Sequence, residues 1–326
     1  MRHSTGSAKR RHPVWRFIGR SLAVLGILLV AVAVLFAGSL ALICKGPSVK
    51  ARDLFVTSLH QHDTLGFLPG LFLSDGEIAA ILSANRLLPT EAITDTETDL
   101  SAVVDNNTDP IRKLTLKGSN YTRTLLIVKD PSRIELACVS SFGADRAGAS
   151  LETFAEQTQA VAAIGSGTGS VPVGYVIQNG NLIYGEKSVA ASLVGFDGEN
   201  RLIVGSMTAE KAIACGIRNA VCSPVYPLIV NGTAAEIAGL GDGIRPRAVI
   251  GQRANGAVLL MVMDGITATD PGVMLEDCIA ELLKAGAINA ALLDSSDSAA
   301  LLYQNTLQNN APDAQDRCVP AAFVVL

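Results

Sequence analysis

Two carboxylates and three hydroxyl groups lie between two apolar runs in the stretch ALLDSSDSAALLY, residues 291–303. Asp294 ends the first run, and the letters SSDS separate it from the second. Carboxylates at the ends of buried strands can act as general acids, general bases or nucleophiles. The stretch therefore has the residue types of a catalytic loop, and it also has those of an ordinary polar turn.

Three other side chains occupy comparable positions, each at one end of an apolar run. Asp264 ends the run in MVMDGIT, Arg247 begins the one in RPRAVIG, and Arg317 precedes the last one in QDRCVPAAFVVL. An arginine guanidinium binds phosphate oxygens through paired hydrogen bonds. We expect the two aspartates and two arginines to line one mouth at the edge of a sheet, although each alone also fits a surface turn.

Histidine is absent from the strand-rich part of the sequence. The four histidines are His3, His12, His60 and His62. A Ser-His-Asp or Cys-His catalytic group and a His-rich metal site are therefore excluded there. The sequence also contains neither a GxSxG nor a GxxxxGK[ST] motif. No organic cofactor is expected, and carboxylate and hydroxyl oxygens would suit a divalent cation, although no loop spacing requires one.

From about residue 116 the chain consists of short apolar runs separated by Gly, Asn and Asp, a pattern typical of strands and hairpins. Asn179-Gly180 predicts a two-residue hairpin turn, and Asp197-Gly198 predicts a second one. The closing letters AAFVVL predict a final core strand.

Two helices are predicted among these strands. One covers 208–216 and begins at the capping residue Thr208. The other covers 272–287, where the apolar residues form a helical stripe, and leads into the apolar run INAALLD. A strand, this helix and a further strand would form one crossover unit in a mixed sheet. The fold class predicted for 116–326 is therefore α+β, with a mixed, strand-rich sheet core and a few helices.

An uncharged apolar segment, SLAVLGILLVAVAVLFAGSLALIC, spans 21–44 and is long enough to cross a bilayer as a helix. Six basic residues and no acidic residue lie in the preceding tail, 1–20. The positive-inside rule keeps this tail in the cytoplasm and leaves the rest of the chain extracytoplasmic, as a single-pass signal-anchor protein. A cleaved signal peptide is the alternative, because Ala37-Gly38-Ser39 offers small residues for cleavage.

The region 45–115 is predicted to be helical near the membrane and polar beyond it. Ser74 followed by Glu77 is a capping-box pattern at the start of a helix. The stretch 96–122 is rich in Asp, Thr and Asn and is expected to be a linker or irregular surface before the main domain.

The cysteines suggest one disulfide. They are Cys44, Cys138, Cys215, Cys222, Cys278 and Cys318. Cys215 and Cys222 would close a small loop in an oxidising compartment, and buried free thiols are the alternative. The spacings fit no zinc signature.

Seven segments between 123 and 326 follow one another in an order that resembles the phosphodiester glycosidase family. The segments are AVAAIGSGTG (160–169), VPVGYVIQNGNLI (171–183), SLVGFDGENRLIVG (192–205), YPLIVNG (226–232), RPRAVIGQRANGAVLLMVMDGI (245–266), the helix at 272–287 with ALLDSSDSAAL, and Arg317 with VPAAFVVL. The fifth segment is the most similar, since the family carries Arg-Thr-Ala-Ile-Gly, an apolar strand and Asp-Gly-Arg there.

The resemblance implies hydrolysis of a sugar-1-phosphodiester, in a small substrate or a cell-envelope glycan, at the glycosidic bond. The implied catalytic residues are Asp294, Asp264 and Ser298, and the implied substrate-binding residues are Arg247, Arg317, Gly265 and Gly167. The arginines would clamp the phosphate, and the aspartates would act as acid, base or nucleophile at the anomeric carbon. The family's many bacterial members make a bacterial envelope the expected setting. A formal net charge of −4 does not favour nucleic acid.

Three segments depart from the family pattern. The family's Asn-Gly-Gly-Phe-Phe turn is Gly-Ser-Gly-Thr-Gly at 165–169, its Asp-Gly-Gly-Gly-Ser-Ser is Asp-Ser-Ser-Asp-Ser-Ala at 294–299, and its Asp-Gly-Arg is Asp-Gly-Ile at 264–266. Serines at former glycine positions restrict the backbone. Two predictions stay open: a working hydrolase with altered substrate choice, and a catalytically degenerate relative that serves as a glycan-binding or structural module at the cell surface.

Overall fold

The computed structural model describes most of the chain. The described residues are 13–60, 62, 64–97, 109–118, 121–143, 148–167, 171–222, 225–265, 267, 270–296, 298–310 and 318–326. The predicted phosphate-binding residue Arg317 lies outside them, as do Asp297, residues 98–108 of the polar linker and the basic residues before position 13. The described part of the stretch 96–122 contains a strand, Ile111–Lys117, where the sequence predicts a linker or irregular surface.

Six α-helices lie in the described residues. They are α1 Pro13–Lys45, α2 Val49–Leu59, α3 Asp75–Ala84, α4 Leu151–Thr158, α5 Ala209–Ala214 and α6 Leu275–Lys284. The capping box of α3 is confirmed: the Ser74 hydroxyl accepts from the Glu77 N–H at 3.3 Å, and the Glu77 carboxylate accepts from the Ser74 N–H at 2.8 Å. The Thr208 cap of α5 is confirmed as well, since its hydroxyl accepts from the Lys211 N–H.

Nineteen strands lie in the described residues. They are β1 Arg86–Leu87, β2 Ile111–Lys117, β3 Thr122–Val128, β4 Ile134–Cys138, β5 Ala162–Ser166, β6 Val176–Gln178, β7 Asn181–Tyr184, β8 Ala190–Asp197, β9 Leu202–Thr208, β10 Ile217–Val221, β11 Tyr226–Val230, β12 Thr233–Ala234, β13 Ile237–Ala238, β14 Arg247–Arg253, β15 Val258–Met263, β16 Ala287–Asp294, β17 Leu301–Tyr303, β18 Thr306–Leu307 and β19 Ala321–Val325. The predicted final core strand is thus confirmed as β19.

The strands form three large sheets and one short pair, β1 with β13. The seven-stranded sheet has the order β12-β11-β16-β14-β15-β3-β2. Two five-stranded sheets have the orders β7-β6-β10-β8-β9 and β18-β17-β5-β19-β4. Every neighbouring pair described between named strands is antiparallel, and the parallel relation arises between β15 and β16, which flank β14 on either side.

One central core holds the three sheets together, and each outer face carries a helix. Leu260 of the seven-stranded sheet, Phe323 of β19 and Phe196 of β8 share this core. The two aromatic rings meet edge to face, with centroids 5.9 Å apart. Helices α6, α4 and α5 pack on the outer faces of the three sheets, where their apolar stripes complete separate clusters. The predicted α+β class is confirmed, including the β15–α6–β16 crossover.

The two predicted hairpin turns have different outcomes. Asn179 and Gly180 both adopt positive φ, 51° and 75°, as a two-residue turn between β6 and β7 requires. In the β8–β9 hairpin the positive φ falls instead on Asn200, at 62°. The loop is longer because the Asp197 carboxylate accepts the N–H groups of Glu199 and Arg201, both at 2.9 Å.

The predicted disulfide is wrong. Cys215 follows α5 and is exposed, whereas Cys222 follows β10 and is buried, and both are free thiols. The whole of β10 lies between them, and an extended strand of five residues spans about 13 Å. A disulfide requires the two Cα atoms to lie within about 7 Å. Burial raises the pKa of the Cys222 thiol to about 12.

The segment 46–97 folds against both α1 and the strand-rich part. Cys44 of α1 shares a small apolar cluster with Val56 of α2, Leu73 and Ile81 of α3. Residues farther along this segment pair with the sheets, as β1 does with β13. The predicted domain boundaries at 45 and 115 stay predictions.

A substitution at Gly195, in the middle of β8, tests how closely β8 packs on β10. A Cβ there would collide with the carbonyl oxygen of Asn219 and would lie 2.7 Å from the Ala220 Cα on β10. We expect Gly195→Ala to lower the free energy of unfolding by about 2–3 kcal/mol through overpacking. Chemical denaturation of the full chain measures this.

Gly198 in the adjoining loop provides the matched control. A Cβ at this position meets nothing within 4 Å. Gly198→Ala is expected to change the free energy of unfolding by at most about 0.5 kcal/mol. Equal effects of the two alanine substitutions would contradict the packing of β8 on β10.

Candidate active site

The pairing of β14 brings the two predicted catalytic aspartates to one edge of the seven-stranded sheet. Ala248 of β14 is opposite Val262 of β15 on one side and opposite Asp294 of β16 on the other. Asp264, which follows β15, and Asp294, which ends β16, therefore lie at the same edge. Strands in a sheet are about 4.8 Å apart, so the backbones of Val262 and Asp294 are about 10 Å apart.

Two serine hydroxyls surround the Asp294 carboxylate. Its Oδ1 accepts from the N–H and the hydroxyl of Ser296, both at 2.8 Å, and its Oδ2 accepts from the Ser298 hydroxyl at 2.9 Å. All three side chains are buried. Ser296, at a glycine position of the family, and Ser298, at a serine position, thus fold the loop back onto the carboxylate and fix its orientation.

The two hydroxyls of this cluster are also close to each other. The Ser296 and Ser298 oxygens lie 2.7 Å apart, so the carboxylate and the two serines form one hydrogen-bonded cluster. These contacts hold the Asp294 side chain in one orientation.

Asp264 is buried in a different environment, without a partner cation among the described residues. Its side chain is 4% exposed, and its Oδ1 accepts from the Asn310 N–H at 2.8 Å. Burial raises the pKa of Asp264, the Asn310 hydrogen bond offsets part of the effect, and the Asp270 charge raises it further. A carboxyl with a raised pKa keeps its proton to a higher pH than an ordinary aspartate does.

A polar segment at 308–310 connects the surroundings of the two aspartates. The Asn309 side chain donates to the Ala299 carbonyl at 2.7 Å and accepts from the Leu301 N–H at 3.3 Å. The next residue, Asn310, holds Asp264. Movement of this segment would therefore shift Asp264 and the end of the Asp294 loop together.

The end of β5 lies beside the residue that precedes Asp294. The Gly167 N–H donates to the Leu293 carbonyl at 3.0 Å, and Gly167 has a φ of 79°. Ser166 is fully buried, and its hydroxyl has no hydrogen-bond partner. Alternation along β5 places Ser166 on the same face as Ile164, which belongs to the central core. Gly167 thus connects the end of β5 to β16 through a backbone hydrogen bond. The Ser166 hydroxyl is a buried hydrogen-bond donor at the same end of β5.

Arg247 does not join the aspartates, so the expectation that all four groups line one mouth is wrong for this residue. Ala248 faces the central core, and Asp294, its register partner beyond a β-bulge in β16, lies on the same face of the sheet. Side chains alternate along a strand, which sends Arg247 to the opposite face of the sheet. There it contacts the segment before α6 by donating to the Val273 carbonyl at 3.4 Å.

The guanidinium of Arg247 is instead part of a buried ion pair. It is 0% exposed, pairs with Asp242 and donates to the Gly243 carbonyl at 2.9 Å. Burial raises the pKa of Asp242, but the charges of Arg247 and Arg245 outweigh it and hold that pKa below its ordinary value. The role that this placement favours for Arg247 is to fasten the 242–243 loop to β14.

Gly265 has a packing reason to be glycine. A Cβ there would come within 2.7 Å of the Pro246 nitrogen, so no larger residue fits between the ends of β14 and β15. Ser298 lies within the Asp294 cluster. The proposed substrate contacts of Gly265, Gly167 and Arg317 stay predictions.

Several polar residues at this edge escaped the sequence reasoning. They are Ser166, Ser296, Asn309 and Asn310. Their contacts with the aspartate surroundings span long stretches of sequence: Asp264 and Asn310, for example, are separated by 46 positions. The only available signal was the polar triplet QNN after a short apolar run. Within the described residues, no three His, Cys, Asp or Glu side chains form a group that could hold a metal ion.

Comparison with known proteins identifies the family. The family model of phosphodiester glycosidases matches residues 153–326, which is more than half of the 326-residue chain. The chain belongs to the phosphodiester glycosidase family. The resemblance seen in the ordered segments is therefore confirmed. The family is one of glycosidase-type hydrolases.

A solved structure of the same fold is the zebrafish N-acetylglucosamine-1-phosphodiester alpha-N-acetylglucosaminidase catalytic domain, auto-inhibited by its pro-peptide. The TM-score is 0.56 at 14% identity, over 73% of this chain and 96% of that one. A hypothetical protein from Synechocystis has a TM-score of 0.46 at 15% identity, over 66% of this chain and 61% of that one. At these identities only the fold of the zebrafish enzyme is shared.

A curated relative matches a shorter stretch. The SPbeta prophage-derived uncharacterized protein YomE of Bacillus subtilis (strain 168) is 34% identical over 74 residues. The match covers 23% of this chain and 12% of that protein's length. It adds a bacterial relative and no activity.

Replacement of Arg247 distinguishes a structural ion pair from a substrate clamp. We expect Arg247→Met to lower the free energy of unfolding by about 3 kcal/mol, because Asp242 loses its partner in a mostly buried site. Chemical denaturation measures this, and Arg112→Met on the exposed side of β2 is the control, expected within about 0.5 kcal/mol. Unchanged stability of Arg247→Met together with weakened substrate binding would instead support a role for Arg247 in binding the substrate phosphate.

The Asp264 carboxyl should give the folded protein a distinct pH dependence. Because its folded pKa is raised, the folded state holds the proton more tightly than the unfolded state. Its contribution to the free energy of unfolding therefore falls as pH rises from the ordinary aspartate pKa through the raised folded value. Asp264→Asn should lack this slope and be the more stable protein at neutral pH.

Denaturation at a series of pH values measures the difference between the wild type and Asp264→Asn. Asp75→Asn, on the exposed first turn of α3, corrects for the general loss of one negative charge. Parallel pH curves for the wild type and Asp264→Asn would contradict the assigned environment of Asp264.

Proposed function

We propose that this chain is a membrane-anchored, extracytoplasmic hydrolase that cleaves the glycosidic bond of a sugar-1-phosphodiester. The observation that carries the proposal is the pair of buried carboxylates, Asp264 and Asp294, at one edge of the seven-stranded sheet. Paired carboxylates are the usual machinery of glycoside hydrolysis. Membership of a family of phosphodiester glycosidases supports the same reaction.

The reaction divides naturally between two carboxyl groups. A water molecule attacks the anomeric carbon, the bond from that carbon to the phosphate oxygen breaks, and the phosphate monoester leaves with the bonding electrons. One carboxylate accepts the proton that the water loses, and one carboxyl donates a proton to the departing oxygen. Because a phosphate oxygen is a weakly basic leaving group, we expect the positioning of the water to matter more than the acid.

The environments of the two aspartates assign these roles. Asp264, with its raised pKa, is proposed as the acid. Asp294, whose two oxygens accept from the Ser296 and Ser298 hydroxyls, is proposed as the base or nucleophile. Since Arg247 lies on the other face, Arg317 is the remaining proposed clamp for the phosphate.

The membrane anchor is proposed to be α1. Phe17–Lys45 is apolar and long enough to cross a membrane, and the side chains of residues 17–39 are exposed throughout. The exposed helical residues after the tail, 21–39, span about 28 Å, which is close to the hydrocarbon thickness of a bilayer. The basic tail 1–20, whose Arg16 and Arg20 belong to α1, orients the sheets toward the outside. A cleaved signal sequence is the alternative for this helix.

A glycan-binding module without turnover is the second candidate. Two observations favour it: hydroxyls of its own loop occupy both oxygens of Asp294, and Arg247 is withdrawn into a structural ion pair. A site with these features would bind a sugar phosphodiester through the backbone at Gly167 and the two buried carboxyl groups. It would lack the exposed base that water activation requires.

Release of free sugar from a sugar-1-phosphodiester tests the proposal. The full chain is purified in detergent and incubated with UDP-N-acetylglucosamine, with and without a chelator of divalent cations. We expect turnover that Asp294→Asn lowers by about 100-fold or more, since this change removes the acid–base function of the carboxylate.

Two variants complete the assay. Asp75→Asn, away from the site on α3, should retain wild-type turnover. Ser296→Gly restores the residue that the family carries and should retain or increase turnover, because it frees Asp294 Oδ1 from one hydroxyl. Binding of the nucleotide sugar without release of sugar would support the binding module and end the hydrolase proposal.

A further inference from the structure

Three large apolar side chains are exposed close together in the turn between α2 and α3. Leu65, Phe67 and Leu71 are 39%, 62% and 59% exposed. Beyond this turn and α1, the exposed large apolar side chains of the described residues occur singly along the chain. A concentrated apolar turn of this kind marks a surface that contacts another apolar phase.

The turn lies next to the outer end of α1. Leu73, two residues after Leu71, packs in one cluster with Cys44. The following helix is tied to the last residue of α1, since Lys45 pairs with Glu77 at 2.7 Å. The exposed turn is therefore held beside the last turn of the proposed anchor.

The burial pattern along α1 indicates the height of its outer end above the hydrocarbon core of the bilayer. Side chains are exposed from Phe17 to Ser39, whereas Leu40 is 6% and Cys44 is 1% exposed. Cys44 lies five residues beyond Ser39, or about 7.5 Å along the helix axis. That height falls within the headgroup layer, which adds several ångströms to each side of a hydrocarbon core of about 30 Å.

We propose that Leu65, Phe67 and Leu71 insert into the lipid interface around α1 and form a second membrane contact. The proposal rests on the anchoring of α1 proposed above. The occupant is the bilayer itself, because the patch is held beside the outer end of α1 at headgroup height. Aromatic and aliphatic side chains beside a polar backbone are typical of segments that lie in this layer. Lys50, which is exposed at the start of α2, suits an anionic headgroup.

Such a contact would have a consequence for the site. A single helix lets the attached domain tilt, whereas a second contact beside it restricts that tilt. The sheets would then present the edge that carries Asp264 and Asp294 at a set height and angle over the membrane. A substrate of the cell envelope that is itself tethered would meet the site at that height.

Tryptophan fluorescence of the full chain in nanodiscs tests the contact. Trp15 is the only tryptophan and is first replaced by phenylalanine. Phe67→Trp then reports the patch, Leu29→Trp reports the middle of α1, and Ile183→Trp on β7 reports a site far from the membrane. Each is measured in nanodiscs of ordinary phosphatidylcholine and of two brominated phosphatidylcholines. One carries bromine near the glycerol end of the acyl chain, at the depth proposed for Phe67, and the other near the methyl end, at the depth of Leu29.

We expect bromination to quench Phe67→Trp as it quenches Leu29→Trp, and to leave Ile183→Trp unchanged. Quenching of Leu29→Trp without Phe67→Trp would overturn the second contact and leave the anchor intact. Absence of quenching at Leu29→Trp would overturn the anchor and the contact together. A blue-shifted Phe67→Trp that bromination does not quench would assign the patch to a protein surface instead.

Discussion

The site depends above all on the position of β14 between β15 and β16. Because β14 is antiparallel to both, β15 and β16 must run the same way, and their carboxyl ends must meet at one edge. α6 makes this possible by carrying the chain back across the sheet between the two strands. The two buried aspartates are thus neighbours through topology, although 29 residues lie between them in the sequence.

The sequence could predict what depends on local pattern. Apolar runs predicted the strands, the stripe at 272–287 predicted α6, and the position of each aspartate after a run predicted the edge where it lies. These features depend on residues within a few positions of one another. The ordered segments added the family, because their spacing records the strand order even where individual motifs have changed.

Other features depend on the register between strands and on how deeply a side chain is buried. Neither can be read from a local sequence pattern. Whether Arg247 faces the site or α6 is decided by a single step along β14, and a one-residue step reverses the face. Its charge made a surface site the natural expectation, and the ion pair with the partly exposed Asp242 removes that need. The Asn310 contact with Asp264 likewise joins two residues between which α6, β16, β17 and β18 lie in the sequence.

The same ion pair connects the site to helices α2 and α1. The 242–245 loop, fastened by Arg247, lies against the end of α2: the Ile244 N–H donates to the Ser58 hydroxyl at 3.0 Å, and Arg245 donates to the Thr57 carbonyl. A Cβ on Gly243 would come within 2.7 Å of the Ser58 nitrogen, so the loop and helix are in close contact. α2 packs in turn on the end of α1. A displacement of α1 would therefore reach the start of β14, one residue from the strand position opposite Asp294, through packed and hydrogen-bonded groups.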